Sequence, residues 1–266
     1  MNQPEHDLFQ DGDHQPRVLR GVSIYSNATR LAEMAARIGF ETIWIEMEHG
    51  PADFERVEAL CMAAEAGGAV PTVRIPDGQR HHVLRALEVG ARIVVVPMVN
   101  TAEQAKAIVE YGKFPPLGLR GFNVRSRGVE YGLSDRKTAF ANANARTHLF
   151  AQIESMEAVA NVEAICRVEG LSGILIGPGD LSVSAGCSDD LNGPQMIEIV
   201  TQTLRCARSL EKHAGILISP GPLLDAALAA GCDLVFCGGD VTELSAAWPR
   251  LLGSVGAKSA RDELGA

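Results

Sequence analysis

Two carboxylates stand where apolar runs stop: Glu154 in Gln152-Ile153-Glu154-Ser155, and Asp180 in Ile176-Gly177-Pro178-Gly179-Asp180-Leu181-Ser182. A charge at the tip of a buried strand costs free energy unless a cation or a substrate meets it, so the pair points to a shared oxygen-rich pocket. Hard oxygen ligands with no cysteine or histidine on the same tips favour Mg²⁺ or Mn²⁺, with Co²⁺ also admissible, over Zn²⁺. Two carboxylates leave coordination positions open for a substrate with adjacent oxygens, such as a 2-oxo acid, on which the ion would act as a Lewis acid.

A third tip, Glu46-Met47-Glu48-His49-Gly50, offers a base. An imidazole beside Glu46 would be held in one tautomer with its proton affinity raised, so His49 would take up a proton near neutral pH. Arg74 supplies forked donors for a carbonyl oxygen that becomes an enolate; the plainer reading makes it the counter-ion of a barrel carboxylate. The five lysines fall in helices or loops, which disfavours imine chemistry. The absence of a Gly-x-Gly-x-x-Gly run after a strand lowers the case for a nicotinamide cofactor.

These tips need strands to carry them. Short β-branched runs at 19–25, 42–48, 70–75, 93–99, 149–154, 173–176, 214–218 and 234–237 alternate with helical periods at 28–38, 53–66, 79–89, 102–111, 156–168, 193–211 and 222–230, with a last helix after Thr242. Eight such units match a (β/α)8 TIM barrel better than an open doubly wound sheet. In that fold reactive groups come from the C-terminal strand ends, where Glu46, Glu48, His49, Arg74, Glu154 and Asp180 all fall. The irregular stretch 113–147 reads as a functional loop at the top of the barrel.

Residues 1–16 are polar and read as a flexible leader without the apolar centre of a secretory signal, leaving 17–266 as one barrel domain. A formal net charge of -9 argues against nucleic acid or an anionic membrane as partner, and no run of about eighteen apolar residues marks a membrane span. Six scattered cysteines without a Cys-x-x-Cys pair read as reduced thiols in a cytoplasmic protein.

Taken in order, Glu48-His49-Gly50-Pro51, Val73-Arg74-Ile75-Pro76, Gly90-Ala91, Val96-Pro97-Met98-Val99, Phe114-Pro115-Pro116-Leu117-Gly118-Leu119-Arg120-Gly121, Arg125-Ser126-Arg127, Gln152-Ile153-Glu154 and Ile176 to Ser182 form a string. It resembles the metal-dependent class II pyruvate aldolases of the HpcH/HpaI type, from about Gly21 to Asp240. The resemblance implies a phosphoenolpyruvate/pyruvate-type barrel that reversibly cleaves 4-hydroxy-2-oxo acids to pyruvate, or hydroxypyruvate, and an aldehyde. Glu154 and Asp180 would hold the ion, with Gln152, Gly177, Pro178 and Gly179 around the substrate. Arg74 would stabilise the enolate, and His49, oriented by residue 46, would act as base. A trimer or hexamer is implied, in which Glu88 and Arg120 reach a neighbour's active site. Glu46 and Glu88 depart from the pattern, since the family usually carries aspartate at both. Two other readings remain open at this stage: a lyase for a coenzyme A thioester or phosphorylated acid, and a catalytically silent barrel used for binding or assembly.

Overall fold

Every strand of a parallel sheet that is lined outside by helices and filled inside by side chains is buried on both faces, so it needs no polar alternation. The eight strands meet that condition almost residue for residue. In the computed structural model, which describes residues 8–10, 13 and 15–254, they are β1 (Leu19–Ile24), β2 (Thr42–Glu46), β3 (Val70–Arg74), β4 (Ile93–Val96), β5 (His148–Ile153), β6 (Gly173–Ile176), β7 (His213–Leu217) and β8 (Leu234–Gly239). Each pairs in parallel with the next, and β8 closes on β1 to complete the barrel.

The helices in chain order are α1 (Thr29–Ile38), α2 (Phe54–Ala66), α3 (Arg80–Glu88), α4 (Ala102–Gly112), α5 (Arg136–Arg146), α6 (Met156–Ala160) and α7 (Val162–Cys166). They continue with α8 (Pro178–Ser184), α9 (Pro194–Ser209), α10 (Pro222–Ala229) and α11 (Asp240–Ser254). The single helix expected over 156–168 is two, separated at Asn161, whose side-chain amide donates to the Asn100 carbonyl at 2.8 Å. The last helix begins at Asp240, slightly before the expected start.

The two-residue period of a strand sorts the side chains. In β2, Ile43 and Ile45 join the layer between barrel and helices, whereas Trp44 joins Leu19, Ile93, Val95, Phe150, Leu175, Leu234 and Phe236 inside the barrel. Burying a ring such as Phe150 or Phe236 contributes about 2 kcal/mol each, and the Phe236 ring meets Trp44 edge-on at 4.9 Å. Gly21 makes room for that ring: a Cβ there would lie 2.4 Å from Phe236. Glu46, two residues beyond Trp44, therefore faces the barrel axis one layer nearer the C-terminal mouth, and the same count carries Phe150 to Gln152 and Glu154.

The N-terminal end of the barrel, its floor, differs from expectation twice. Residues 8–10 of the expected leader are packed. Phe9 is 3% exposed, stacks on His213 with ring centroids 3.6 Å apart, and completes the interior cluster from below. Arg17 holds it there, its backbone N–H donating to the Phe9 carbonyl and its Nε to that of Leu8, both at 3.0 Å. Residues 1–7 lie outside the described residues. Second, the stretch 113–147 belongs to the floor rather than the top, because α4 has already carried the chain back to the start of the strands. It is also not irregular: it contains α5 and a 3-10 turn, Arg127–Gly132, around stacked Phe114 and Phe140.

Candidate active site

Glu46 is fully buried at the mouth and holds its neighbourhood together. Its Oε1 accepts the backbone N–H groups of Glu48 (2.7 Å) and His49 (3.1 Å), which ties down the turn after β2. Its Oε2 accepts Trp44 Nε1 at 3.0 Å and Arg74 Nη2 at 2.6 Å, and Arg74 Nε lies within reach of both oxygens. Arg74 is buried too, its guanidinium 5.4 Å above the Trp44 ring, and its Nη1 meets Glu48 Oε2 at 2.9 Å. Both sequence readings of Arg74 thus hold in part: it is the counter-ion of barrel carboxylates, and that pairing fixes it at the mouth. A guanidinium carries five N–H groups, so its outer edge keeps donors for a further oxygen.

The expected imidazole contact with Glu46 is not found. Glu46 takes the backbone N–H of His49, and the His49 ring, 60% exposed, lies 4.0 Å from Glu48 Oε2 instead. Glutamate at 46 reaches down the axis to Arg74, which leaves Glu48 as the carboxylate beside the imidazole. Burial pushes the Glu48 carboxyl up, while Arg74 and His49 pull it down. Tyr25, just beyond β1, faces the same group, and burial followed by the Glu46 charge raises its phenol.

Glu154 follows β5 and is buried. Its Oε1 accepts the N–H of Met98 at 2.7 Å and its Oε2 the side-chain amide of Gln152 at 2.6 Å. Met98 presents that N–H from a left-handed turn (φ 53°), a conformation that costs a non-glycine residue of order 1 kcal/mol. Burial above all, with the nearby charges of Glu48 and Asp180 adding to it and the N–H of Met98 and the Arg74 charge opposing, raises the Glu154 carboxyl to about 7. Asp180 sits in the first turn of α8, exposed to the mouth, and acts electrostatically on both glutamates. Gly177 closes the space behind: a Cβ would lie 2.6 Å from both Gln152 Nε2 and Glu154 Oε2. Pro178 is buried and starts α8, whereas Gly179 is exposed with open space around it.

The donor set fits a hard divalent cation. Glu48, Glu154 and Asp180 repel one another's negative charge, and the buried Gln152 Oε1 has no hydrogen-bond partner among the described residues. Among those residues no group of three or more His, Cys, Asp and Glu side chains is arranged to hold an ion. Tyr25, Trp44 and Met98 take part beyond the expected set. Of these only Trp44 had a readable signal, two residues before Glu46 on the same strand face.

Glu88 ends α3 and Arg120 follows α4, so both lie at the floor, far from Glu154 along the strands. Any part they take in chemistry at a mouth requires a second barrel.

Residues 21–247 match the HpcH/HpaI aldolase/citrate lyase family. The chain is 33% identical over 244 residues to the 2-keto-3-deoxy-L-rhamnonate aldolase of Klebsiella pneumoniae, covering 91% of each. Its structure is similar to that of an HpcH/HpaI aldolase/citrate lyase family protein from Burkholderia cenocepacia, with a TM-score of 0.83, 29% identity, and 94% and 97% of the two chains covered. A citrate lyase β subunit from M. tuberculosis, solved with oxaloacetate and magnesium, shares the fold at a TM-score of 0.55, 16% identity, and 83% and 91% coverage. With a closed parallel barrel, carboxylates and an arginine gathered at its mouth, and a match over most of its length, the chain belongs to the HpcH/HpaI aldolase/citrate lyase family.

Proposed function

We propose that the protein is a divalent-metal-dependent lyase that reversibly cleaves 4-hydroxy-2-oxo acids to pyruvate, or hydroxypyruvate, and an aldehyde, with cleavage the working direction. The observation that carries this reading is Arg74, held between Glu46 and Glu48 beside the paired carboxylates Glu154 and Asp180. A 2-keto-3-deoxy acid, the class to which the Klebsiella relative's named substrate belongs, has its carbonyl at C2 and a hydroxyl at C4, the arrangement that retro-aldol cleavage needs.

Removing the proton from the C4 hydroxyl allows the C3–C4 bond to break. Its electron pair passes through C3 to the C2 oxygen, giving an enolate and a free aldehyde, and protonation at C3 then yields pyruvate. His49, exposed at the mouth with Glu48 beside it, is the group assigned to take the hydroxyl proton. The outer N–H groups of Arg74 stabilise the enolate oxygen, already oriented by Glu46 so that little reorganisation is needed. The open Gly179 backbone faces the substrate. A cation held by Glu154 and Asp180, Mg²⁺ or Mn²⁺ from the oxygen ligands, would supply Lewis-acid polarisation of the 2-oxo group.

Two further assignments belong to this reading. The chain forms a trimer or hexamer in which Glu88 and Arg120 of one floor approach another mouth; exposed Trp248, Leu251 and Leu252 on α11 give it apolar surface for contacts. It works in a reducing cytoplasm, which the six free cysteines support; no described helix is long and apolar enough to cross a membrane. Protein stripped by a chelator should release no pyruvate from a 2-keto-3-deoxy acid and recover with Mg²⁺, Mn²⁺ or Co²⁺. Turnover indifferent to the chelator would remove the reading.

A further inference from the structure

Across the mouth from β5, the C-terminal ends of β1, β7 and β8 border a cavity of about 250 Å³. A bulge shapes it. The pairing of β1 with β8 shifts between Gly21, opposite Phe236, and Ser23, opposite Gly239, so β8 carries one residue more than β1 there. Gly238 takes up the excess with a φ of 75°, and bulges of this kind re-aim strands beside active sites. Gly238 and Gly239 add no side chain to the wall, and Ser23, paired with Trp44 one layer below Glu46, adds a small one at the inner end. Leu217 supplies an apolar face and Ser219 an exposed hydroxyl at the rim.

Tyr25 joins this cavity to the site described above: it lines the cavity, and the charges of Glu46 and Arg74 act on its phenol. The strand before it, β1, lies beside β2, whose end leads to His49. A substrate whose 2-oxo group meets Arg74 and the carboxylates of Glu154 and Asp180, and whose C4 hydroxyl meets His49, therefore directs the carbons beyond C4 toward β1 and the cavity. Two carboxylates border that path. Asp240 spends its oxygens on the backbone N–H groups of Tyr25 (2.8 Å), Ser26 (3.0 Å) and Val241 (2.8 Å), and Glu243 stands against Gly238, where an added Cβ would lie 2.9 Å from its Oε1. Among the described residues no lysine, arginine or histidine lines the cavity.

We propose that this cavity holds the part of the substrate that leaves as the aldehyde, and that it selects an uncharged, short-chain hydroxyaldehyde over one that carries a carboxylate or a phosphate. The assignment rests on the lyase reading above and narrows its substrate class. An anionic tail would leave water with no cation to meet it and two carboxylates nearby, which is strongly unfavourable. A hydroxylated tail keeps a hydrogen-bond partner in the Ser219 hydroxyl, which can donate or accept, while its carbons pack on Leu217. The volume is at the small end of ligand sites, so a coenzyme A or nucleotide-sized group does not fit. Rejection here comes from like charge and not from shape, a discrimination that one substitution can reverse.

The test runs the reaction in the direction of condensation, with pyruvate and Mg²⁺ or Mn²⁺ supplied to the full-length protein and the aldehyde varied. Glycolaldehyde and glyceraldehyde are the uncharged members, succinic semialdehyde and glyceraldehyde 3-phosphate the charged ones. The expected kcat/KM is higher for the uncharged pair by about tenfold or more. Ser219→Lys, at an exposed position outside the catalytic set, should shift that ratio by about tenfold toward the charged pair, through the KM of the aldehyde and with the KM of pyruvate unchanged. Ser23→Leu, which fills the inner end, should raise the KM of glyceraldehyde more than that of glycolaldehyde; should it fail to fold, Ser219→Lys decides alone. Charged aldehydes used as well as uncharged ones by the parent, or a ratio unmoved in Ser219→Lys, would overturn the assignment of the cavity and leave the lyase reading standing. Absence of condensation with every aldehyde would overturn both.

Discussion

At the mouth, Arg74 is buried between two glutamates; at the floor, Arg120 is buried just as deeply and has none. At the mouth the uncompensated charge is negative, shared by Glu48, Glu154 and Asp180, and at the floor it is positive. Pairing explains the contrast. A side chain that must hold a fixed direction during a reaction is clamped by fixed partners, whereas one that must meet a ligand is left with its charge unanswered. By this logic Arg74 and Glu46 form a scaffold, and the carboxylates of the mouth are left to meet a ligand.

The sharpest way to break that contrast is to empty the clamp. Arg74→Ala leaves Glu46 buried without its cation, which should cost about 3–5 kcal/mol of stability and lower pyruvate release by roughly 10²–10³; unchanged unfolding and turnover would refute the clamp. At the other end, Phe9→Ala should cost about 3 kcal/mol by opening a void under the barrel, seen as a lower Tm with turnover per folded molecule preserved. A Tm equal to the parent's would show that residues 8–10 do not seal the floor.

Glu46→Asp is a finer probe. If residue 46 oriented the His49 ring, aspartate there would preserve or raise the rate. Since Glu46 instead reaches Arg74 and Trp44, the shorter side chain should forfeit about one charge-assisted hydrogen bond, roughly 2 kcal/mol, and slow turnover by about thirtyfold. A faster variant would restore the dyad reading.

The smallest effect concerns pH. The Glu154 carboxyl is raised from 4.5 to about 7 by burial, with Glu48 and Asp180 adding to it. The metal-free folded protein therefore holds a proton that the unfolded chain releases, and between about pH 4.5 and 7 its stability declines as pH rises. A cation needs the deprotonated form, so metal affinity should fall by about tenfold for each pH unit below 7 and level off above it. Affinity that stays flat from pH 5.5 to 8, measured by calorimetry, would contradict the origin assigned to the shift.

Most of the barrel was legible because parallel strands announce themselves as β-branched runs, and the strand tips then list the mouth residues. Glu154, Asp180 and Arg74 came through this route and Gln152 through the family resemblance, and the structure sets Gln152 against Glu154 and brings the charges of Asp180 and Arg74 to bear on it. What failed did so for identifiable reasons. The α5 sequence, Arg136 to Arg146, has little apolar periodicity, and only the Asp135 cap marks its start. The floor location of 113–147 was in fact legible, because a connection from a helix to the next strand of a (β/α)8 barrel returns at the N-terminal ends of the strands. Phe9 is a lone aromatic in a polar segment, and its partner His213 is some two hundred residues away. The reach of Glu46 is a matter of one methylene: it decides between the His49 ring and Arg74, and no spacing rule records it.

The measurement that bears most directly on the two-carboxylate mouth is Mn²⁺ binding at pH 8, followed by the electron paramagnetic resonance of the free ion, in the parent, Asp180→Ala and Glu154→Gln. One site per chain in the parent, lost in both variants while their thermal unfolding remains that of the metal-free parent, is the expected result. Binding that survives either substitution would place the cation elsewhere, and the assignment of Glu154 and Asp180 would fall with it.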